Sequence, residues 1–298
     1  MIEGLHIEPT SKCTLRCPRC PRTEMLKRFG KKSLQLADLD IATFKNFVDV
    51  PVDRITMCGD VGDAIYHARL GDLLSVCKKL SKSIRLTTNG SYRSREWWQD
   101  ICKELTEDDV VCFSIDGTPE VFTEYRINGD WASIKVGIEE CVNSKVQVEW
   151  KYIPFSFNEH LITTAEQLSK SLGMDRFVVT PSDRWEINDP LRPSNNNLIG
   201  PRDSVQQEYK KQNQRDFIID PKCKKDRSHY ISATGYYLPC CYSGDYRFYY
   251  KSMWWKDKNK HDIRTTKLSE QIKNFREFYN TIQAEQPEYC VFNCGKNT

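Results

Sequence analysis

No run of about eighteen apolar residues occurs in this chain of 298, so nothing in it reads as a membrane-spanning helix. The opening MIEGLHIEPT has neither a basic stretch nor an apolar core, and a secretory leader is not expected. Neither sign of charge dominates: 44 Lys and Arg face 41 Asp and Glu, a net charge of +3. Steering toward nucleic acid by the charge of the whole molecule is therefore not expected. Internal repeats and low-complexity tracts are missing too, which argues against a solenoid or a linker protein. Hydrophobic residues make up 39% and aromatics 11%, the composition of a globular protein with one large domain or one domain and an appendage.

Cysteine, by contrast, is plentiful, at 13 residues. Without a leader the expected surroundings are the reducing cytoplasm, where clustered cysteines read as metal ligands rather than disulfides. Two classes separate. Cys13, Cys17, Cys20, Cys223, Cys240, Cys241, Cys290 and Cys294 are clustered or lie near Pro and Gly. Cys58, Cys77, Cys102, Cys112 and Cys141 stand singly in apolar segments and read as core packing. The first three form Cys13-x3-Cys17-x2-Cys20, just after a strand-like stretch. A closed structural zinc site takes four protein ligands. Three thiolates from one short loop suit a cubane iron–sulfur cluster with one iron left open. A zinc knuckle completed by Cys58 or His6 is the competing reading of the same residues.

Up to about residue 182, strand and helix patterns alternate. Short β-branched or aromatic runs predict strands over 4–7, 54–57, 84–87, 110–115, 146–153 and 176–179. Between them, Ile41, Phe44, Phe47 and Val48 mark one helical face after Asp40 as a cap. Further helices are expected over 68–80, 94–105, 132–142 and 160–172, the last closing at Gly173. Six βα units in series predict an α/β fold with a parallel sheet, curled into a partial barrel, with ligands at the C-terminal strand ends. Residues 183–222 carry loop signals such as Arg-Pro-Ser-Asn-Asn-Asn and read as a linker that covers the site. Residues 223–298 look too poor in regular elements to build a large core and are expected to need a metal staple.

The cysteine run resembles the signature of the radical S-adenosylmethionine (SAM) superfamily, and further motifs follow strand by strand. Residues 58–64 read Cys-Gly-Asp-Val-Gly-Asp-Ala. In the family, a Gly-Gly-Glu or Gly-x-Gly-Glu-Pro motif at this point receives the methionyl amino group of SAM. Gly62-Asp63 is the nearest match, with Asp for Glu and Ala64 for Pro, and Gly59-Asp60 is a second frame. Glycine lets backbone carbonyls approach a ligand closely. Thr87-Thr88-Asn89-Gly90 looks like the family's Thr-Asn-Gly strand end, which lines the SAM pocket. Cys112-Phe-Ser114-Ile-Asp116-Gly117, followed by Tyr125-Arg126, is similar to the Ser-x-Asp-Gly…Tyr-Arg pattern of members with a SPASM or Twitch extension. The resemblance implies that Ser114 hydrogen-bonds the SAM ribose or carboxylate. It also implies that Arg126 pairs with the carboxylate, where a planar fork suits two oxygens. Asp116 either joins them or caps the next turn.

The C-terminal set, Cys223-x11-Gly235-x4-Cys240-Cys241 with Cys290-x3-Cys294, resembles the SPASM/Twitch layout around a β-hairpin at 231–238. Carried over, Cys223, Cys240, Cys290 and Cys294 hold one auxiliary 4Fe–4S cluster, with Cys241 as the substitute for Cys240. The middle Cys-x2-Cys-x5-Cys run of a full SPASM domain is absent, so a shortened, Twitch-like unit is implied. A four-cysteine zinc site uses the same thiolates. Residues 245–261 are basic and aromatic, a pairing that suits single-stranded nucleic acid but more often marks local packing.

The resemblance thus implies three parts: a partial (β/α)6 barrel over 1–182, a covering segment over 183–222 and an auxiliary-cluster unit over 223–298. It implies a 4Fe–4S cluster on Cys13, Cys17 and Cys20, with SAM chelating the open iron. One electron from a flavodoxin- or ferredoxin-type donor then releases a 5′-deoxyadenosyl radical that abstracts a substrate hydrogen. Arg19 stands where many relatives have an aromatic residue, which makes it a candidate for tuning the cluster potential. A peptide or protein side chain is the favoured substrate, a sugar or small metabolite the alternative. A non-enzymatic zinc or iron–sulfur adaptor for nucleic acid is the reading from a different class.

Overall fold

The computed structural model describes residues 2–183, 185–186, 188–201, 203, 206, 218–223 and 227–296. Its centre is an eight-stranded sheet. Six strands arise in sequence order: β1 (Ile2–Ile7), β2 (Val52–Met57), β3 (Ser81–Thr88), β4 (Val110–Ser114), β5 (Gln147–Tyr152) and β6 (Arg176–Val179). Each pairs in parallel with the next. Helices α2 (Ile41–Phe47), α3 (Leu70–Leu80), α4 (Arg95–Lys103), α5 (Trp131–Val142) and α6 (Ile162–Ser171) make the crossovers. An additional helix, α1 (Pro21–Phe29), follows the cysteine loop. The sheet ends at β6 on one side and does not close, as a partial barrel requires.

Local chemistry explains the elements. On α3, Leu70, Leu73, Leu74 and Cys77 recur at helical spacing and are buried. The side chains of Asp40, Ser94 and Asp130 accept from the backbone N–H groups of Thr43, Trp97 and Ser133, capping α2, α4 and α5. Gly173 ends the last helix at φ +78°, a conformation that suits glycine. Leu5, Ile7, Ile55, Met57 and Leu86 are fully buried between sheet and helices. Among the described residues no helix is long and apolar enough to cross a membrane.

The extension does not stand apart from this sheet. Strand β8 (Ser228–Ile231) pairs in parallel with β1, and β9 (Tyr237–Leu238) returns antiparallel to β8. The hairpin expected at 231–238 is present, with Gly235 at φ +83° in its turn. Two short strands, β7 (Ile218–Ile219) and β10 (Gly295–Lys296), pair antiparallel.

The extension, expected to be too poor in regular elements to build a large core, has a small apolar cluster beside the main one. An 18-residue helix, Leu268–Glu285, and a second helix, Glu288–Cys294, surround a separate apolar cluster that includes Tyr230, Phe248, Trp254, Phe278 and Ile282. The reason is visible in the long helix, where Leu268, Ile272, Phe275, Phe278 and Ile282 recur every three or four residues in a charged background. Its start is fastened to the core where Asp49 accepts from Ser269 N (2.9 Å) and Ser269 Oγ (2.6 Å).

Candidate functional site

The loops after β1 and β2 sit back to back. Glu8 Oε1 accepts from Val61 N at 2.8 Å and Gly62 N at 3.0 Å, and Asp63 N donates to the Lys12 carbonyl at 2.8 Å. Gly62 is required here, because a Cβ would lie 1.7 Å from the Thr10 carbonyl oxygen. Its missing side chain admits the neighbouring backbone. Between these anchors runs the cysteine loop. Cys20 N donates to the Cys17 carbonyl at 3.1 Å, and Pro21 opens α1 at a position where its missing N–H costs nothing.

Cys13, Cys17 and Cys20 all face one cavity of ≈ 420 Å³ at the C-terminal ends of the strands. Asn89 Nδ2 lies 3.8 Å from Cys13 Sγ, and Arg126 Nη1 lies 3.8 Å from Cys17 Sγ. Burial, with the charge of Asp63, pushes the Cys13 thiol up to about 12. Burial raises Cys17 as well, opposed by Arg126. Thiols so placed become ligands when a metal group supplies compensating charge. Donors aimed at two of the three sulfurs fit an iron–sulfur cluster, whose potential depends on such hydrogen bonds.

Gly62, Asp63, Asn89, Ser114 and Arg126 line the same cavity. The Asp63 carboxylate is already engaged. It accepts from Thr88 Oγ1 (2.8 Å), Asn89 N (2.6 Å) and Ile65 N (3.2 Å), and from Asn89 Nδ2 as well. Burial raises its pKa against these donors. It binds the ends of β2 and β3 together, while Asp60 in the second frame lines the cavity. Asp116 is fully buried and stands behind the cavity wall. Its Oδ2 is 2.7 Å from Arg126 Nε, within ion-pair distance though not aligned as a hydrogen bond. Its Oδ1 accepts from Ile153 N at 2.9 Å. Asp116 thus positions Arg126 and ties the loop after β4 to the end of β5, a role different from the two expected of it, a SAM contact or a cap of the next turn.

The extension supplies the other half of the cavity. Cys241, Tyr242, Asp245, Arg247, Phe292 and Asn293 line it. So do Cys58 and His6, whose Nε2 is 2.6 Å from the Cys58 carbonyl. Cys58 was expected in the core, yet it is half-buried at the cavity. Cys77, Cys112 and Cys141 are buried as expected, and half-buried Cys102 lies 3.7 Å from Cys141, sulfur to sulfur.

Cys240 and Cys241 point apart. Burial first, and then the nearness of the other C-terminal thiols, raises the pKa of Cys240 (Cys223 and Cys294) and of Cys290 (Cys240, Cys294 and Cys223), so the four lie close together. Cys241 instead meets His6, raising its pKa against the effect of burial. Among the described residues no three His, Cys, Asp or Glu side chains converge tightly enough to hold a single ion. A cubane spaces its thiolates more widely than a single ion does.

Arg19 lines the cavity but turns toward the covering segment, with Nε 2.8 Å from Asp189 Oδ2. Asp189 also accepts from Glu186 N at 3.0 Å and Leu191 N at 3.1 Å. Burial pushes the Asp189 carboxyl up, but Arg19 and these donors outweigh it and hold it below the usual carboxylate range. A carboxyl lowered by folding adds stability above its unfolded pKa and loses it as pH falls through the folded value. Acidification below about pH 4 is therefore expected to loosen the turn that carries Asp189 and the buried Trp185. Trp185 fluorescence, read against a Trp185→Phe control, checks this. Identical acid profiles for wild type and Arg19→Ala would refute it.

No family model matches the chain. A tungsten-containing aldehyde ferredoxin oxidoreductase cofactor-modifying protein of Pyrococcus furiosus is 30% identical over 124 residues, which is 40% of this chain and 32% of that protein. Streptococcus suis SuiB superposes with a TM-score of 0.55 at 14% identity, over 86% of this chain and 66% of SuiB. The SAM-bound form of SuiB gives 0.53 and 14%, over 82% and 61%. The chain spans less than two thirds of the length of either relative. Resemblance to the radical SAM superfamily rests on this shared fold as well as on the cysteine loop.

Proposed function

We infer that this chain is a radical SAM enzyme that modifies a peptide or protein side chain. The observation that carries the reading is the three-thiol loop facing a cavity at the C-terminal end of a parallel half-barrel, with Asn89 and Arg126 aimed at two of the sulfurs. In this reading Cys13, Cys17 and Cys20 would hold a 4Fe–4S cluster, with SAM bound beside it in the same cavity. When bound and reduced, that pair supplies a 5′-deoxyadenosyl radical able to abstract a hydrogen atom. The protein binds, orients and excludes water. Arg126, held by Asp116, takes the SAM carboxylate as a bidentate fork. Ser114 and Asn89 hydrogen-bond the polar face of the cofactor. Because Asp63 is saturated by its own donors, the Gly59-Asp60 frame is the better receiver for the amino group. A flavodoxin- or ferredoxin-type protein supplies the electron.

Cys223, Cys240, Cys290 and Cys294 hold a second 4Fe–4S cluster, a reading supported by their mutual electrostatic influence and by the turn of Cys241 away from them. Residues 1–182 then form the core, 183–222 the covering segment and 223–298 the auxiliary-cluster unit. A peptidyl substrate is supported by SuiB, which has been crystallised bound to its precursor peptide SuiA.

Anaerobic reconstitution followed by SAM and dithionite tests the proposal. It is expected to give roughly eight irons per chain and 5′-deoxyadenosine. Zinc in place of iron, or a loaded protein that yields no 5′-deoxyadenosine, would overturn it.

A further inference from the structure

A second cavity, of ≈ 180 Å³, lies beyond Asp60 and Val61, which line both cavities. We propose that this cavity and its rim dock an acidic peptide segment, one apolar side chain entering the cavity and the segment's carboxylates meeting the rim cations. The inference rests on the peptidyl reading above and names how that substrate is held.

Beside the hairpin residues Tyr230, Ser232 and Tyr236, two further segments build the cavity. One follows the cysteine loop and contributes Met25 and Leu34. The other, the basic and aromatic stretch after the hairpin, contributes Tyr246, Tyr249, Tyr250 and Trp255. The rings pack on each other, with centroids 4.9 Å apart for Tyr250 and Trp255 and 5.3 Å for Tyr249 and Tyr250. Phe29 joins them, 6.3 Å from Tyr246. These two segments also carry Phe29, Leu36, Tyr250 and Met253, four of the eight exposed large hydrophobics among the described residues. Of these, Tyr250 lines the cavity and the other three lie on the segments beside it, so exposed apolar area gathers around one site, which is a mark of an interaction surface.

The charge of these segments selects the partner. Lys27, Arg28, Lys31, Lys32, Lys251 and Lys256 are exposed, and among the described residues none of them forms an ion pair. The nearby carboxylates are committed: Glu24 accepts from Tyr246 OH at 2.6 Å, Asp245 holds Arg247 at 2.6 Å, and Asp257 holds Lys260 at 3.3 Å. Lys31 and Lys32 directly precede the lining residues Ser33 and Leu34, and Lys251 and Lys256 directly follow Tyr250 and Trp255, so the edge of the cavity is open to anionic side chains. Aromatic and basic surfaces also take single-stranded nucleic acid. Here, however, the space of ≈ 180 Å³ suits one large side chain rather than a run of stacked bases, and the carboxylates Glu8 and Asp60 in its lining favour an apolar side chain inside, with the segment's acidic groups outside. The shared wall at Asp60 and Val61 lets a segment seated here continue toward the cysteine loop.

Fluorescence anisotropy with the full chain tests this, using a fluorescein-labelled peptide of alternating Glu and Phe. Binding is expected to weaken with salt and to fall about tenfold in Lys31→Glu/Lys32→Glu. Tyr250→Ser is expected to weaken it without changing the salt dependence, and Lys145→Glu, between α5 and β5, to leave it unchanged. Should the charge-reversed pair melt lower than wild type, Lys31→Gln/Lys32→Gln gives the same reading through a shallower salt slope. Equal binding of a Gln and Phe peptide, or indifference to the rim variants, would overturn the proposal. So would an oligo(dT) probe that binds more tightly and loses affinity in the same variants. None of these measurements needs a reduced cluster, whereas failure of the radical SAM reading appears separately as absent 5′-deoxyadenosine.

Discussion

Cys17→Ala is expected to abolish 5′-deoxyadenosine formation while leaving roughly half of the iron in place. Cys17 is the most deeply buried of the three loop thiols, 6% exposed, and it is the one nearest Arg126. Removing it leaves two thiols for a site that needs three. Of the C-terminal thiols, Cys290 and Cys294 belong to a different apolar cluster, so metal held there is expected to stay. Iron and sulfide analysis of the anaerobically reconstituted variant, with product measured beside it, checks both halves. Iron content equal to that of wild type would remove Cys17 from the ligand set. Loss of all metal would mean that the two groups of cysteines do not act independently.

Asp116→Ala carries the largest expected cost in stability. The carboxylate is fully buried, and it faces the Arg126 guanidinium, whose side chain is only 16% exposed. Burial presses the Asp116 carboxyl toward its neutral form, while Arg126 and Ile153 N pull it back. Arg126, though buried, is held charged by Asp116. Removing the carboxylate leaves an uncompensated buried charge, which costs about 3–5 kcal/mol. For a chain of this size the midpoint of thermal unfolding should fall on the order of 10 °C. Adding Arg126→Leu removes the orphaned charge and is expected to recover part of the loss, a coupling that a double-mutant cycle reads directly. If the two losses simply add, the pair is not coupled. Arg126→Leu alone should weaken SAM binding by isothermal titration.

The six parallel strands were legible because each is a short β-branched or aromatic run closed by turn residues, with the helix cap Asp40 and the terminator Gly173 visible beside them. The cysteine loop and the residues around its cavity were legible through motif order along the strands. What was not legible has long-range causes. Helix α1 contains few apolar residues, only Met25, Leu26 and Phe29 in nine, so its start at Pro21 was the one available sign. The hairpin at 231–238 is a local signal, but its docking beside β1 depends on partners more than two hundred residues away. That docking brings Cys241, Asp245 and Arg247 into the cavity, and no local pattern announces it. The different duties of Asp63 and Asp116, one saturated and one holding an arginine, follow from burial, which a motif does not encode.

Strand β1 has two neighbours, β2 and β8, and they emerge from the ribosome far apart in time. Until residues 228–231 are made, the strand that leads into the cysteine loop presents a naked hydrogen-bonding edge. Late closure of this kind is slow, because a long loop must be ordered before the pairing rewards it. A nascent chain stalled before that point is a candidate for edge-to-edge association.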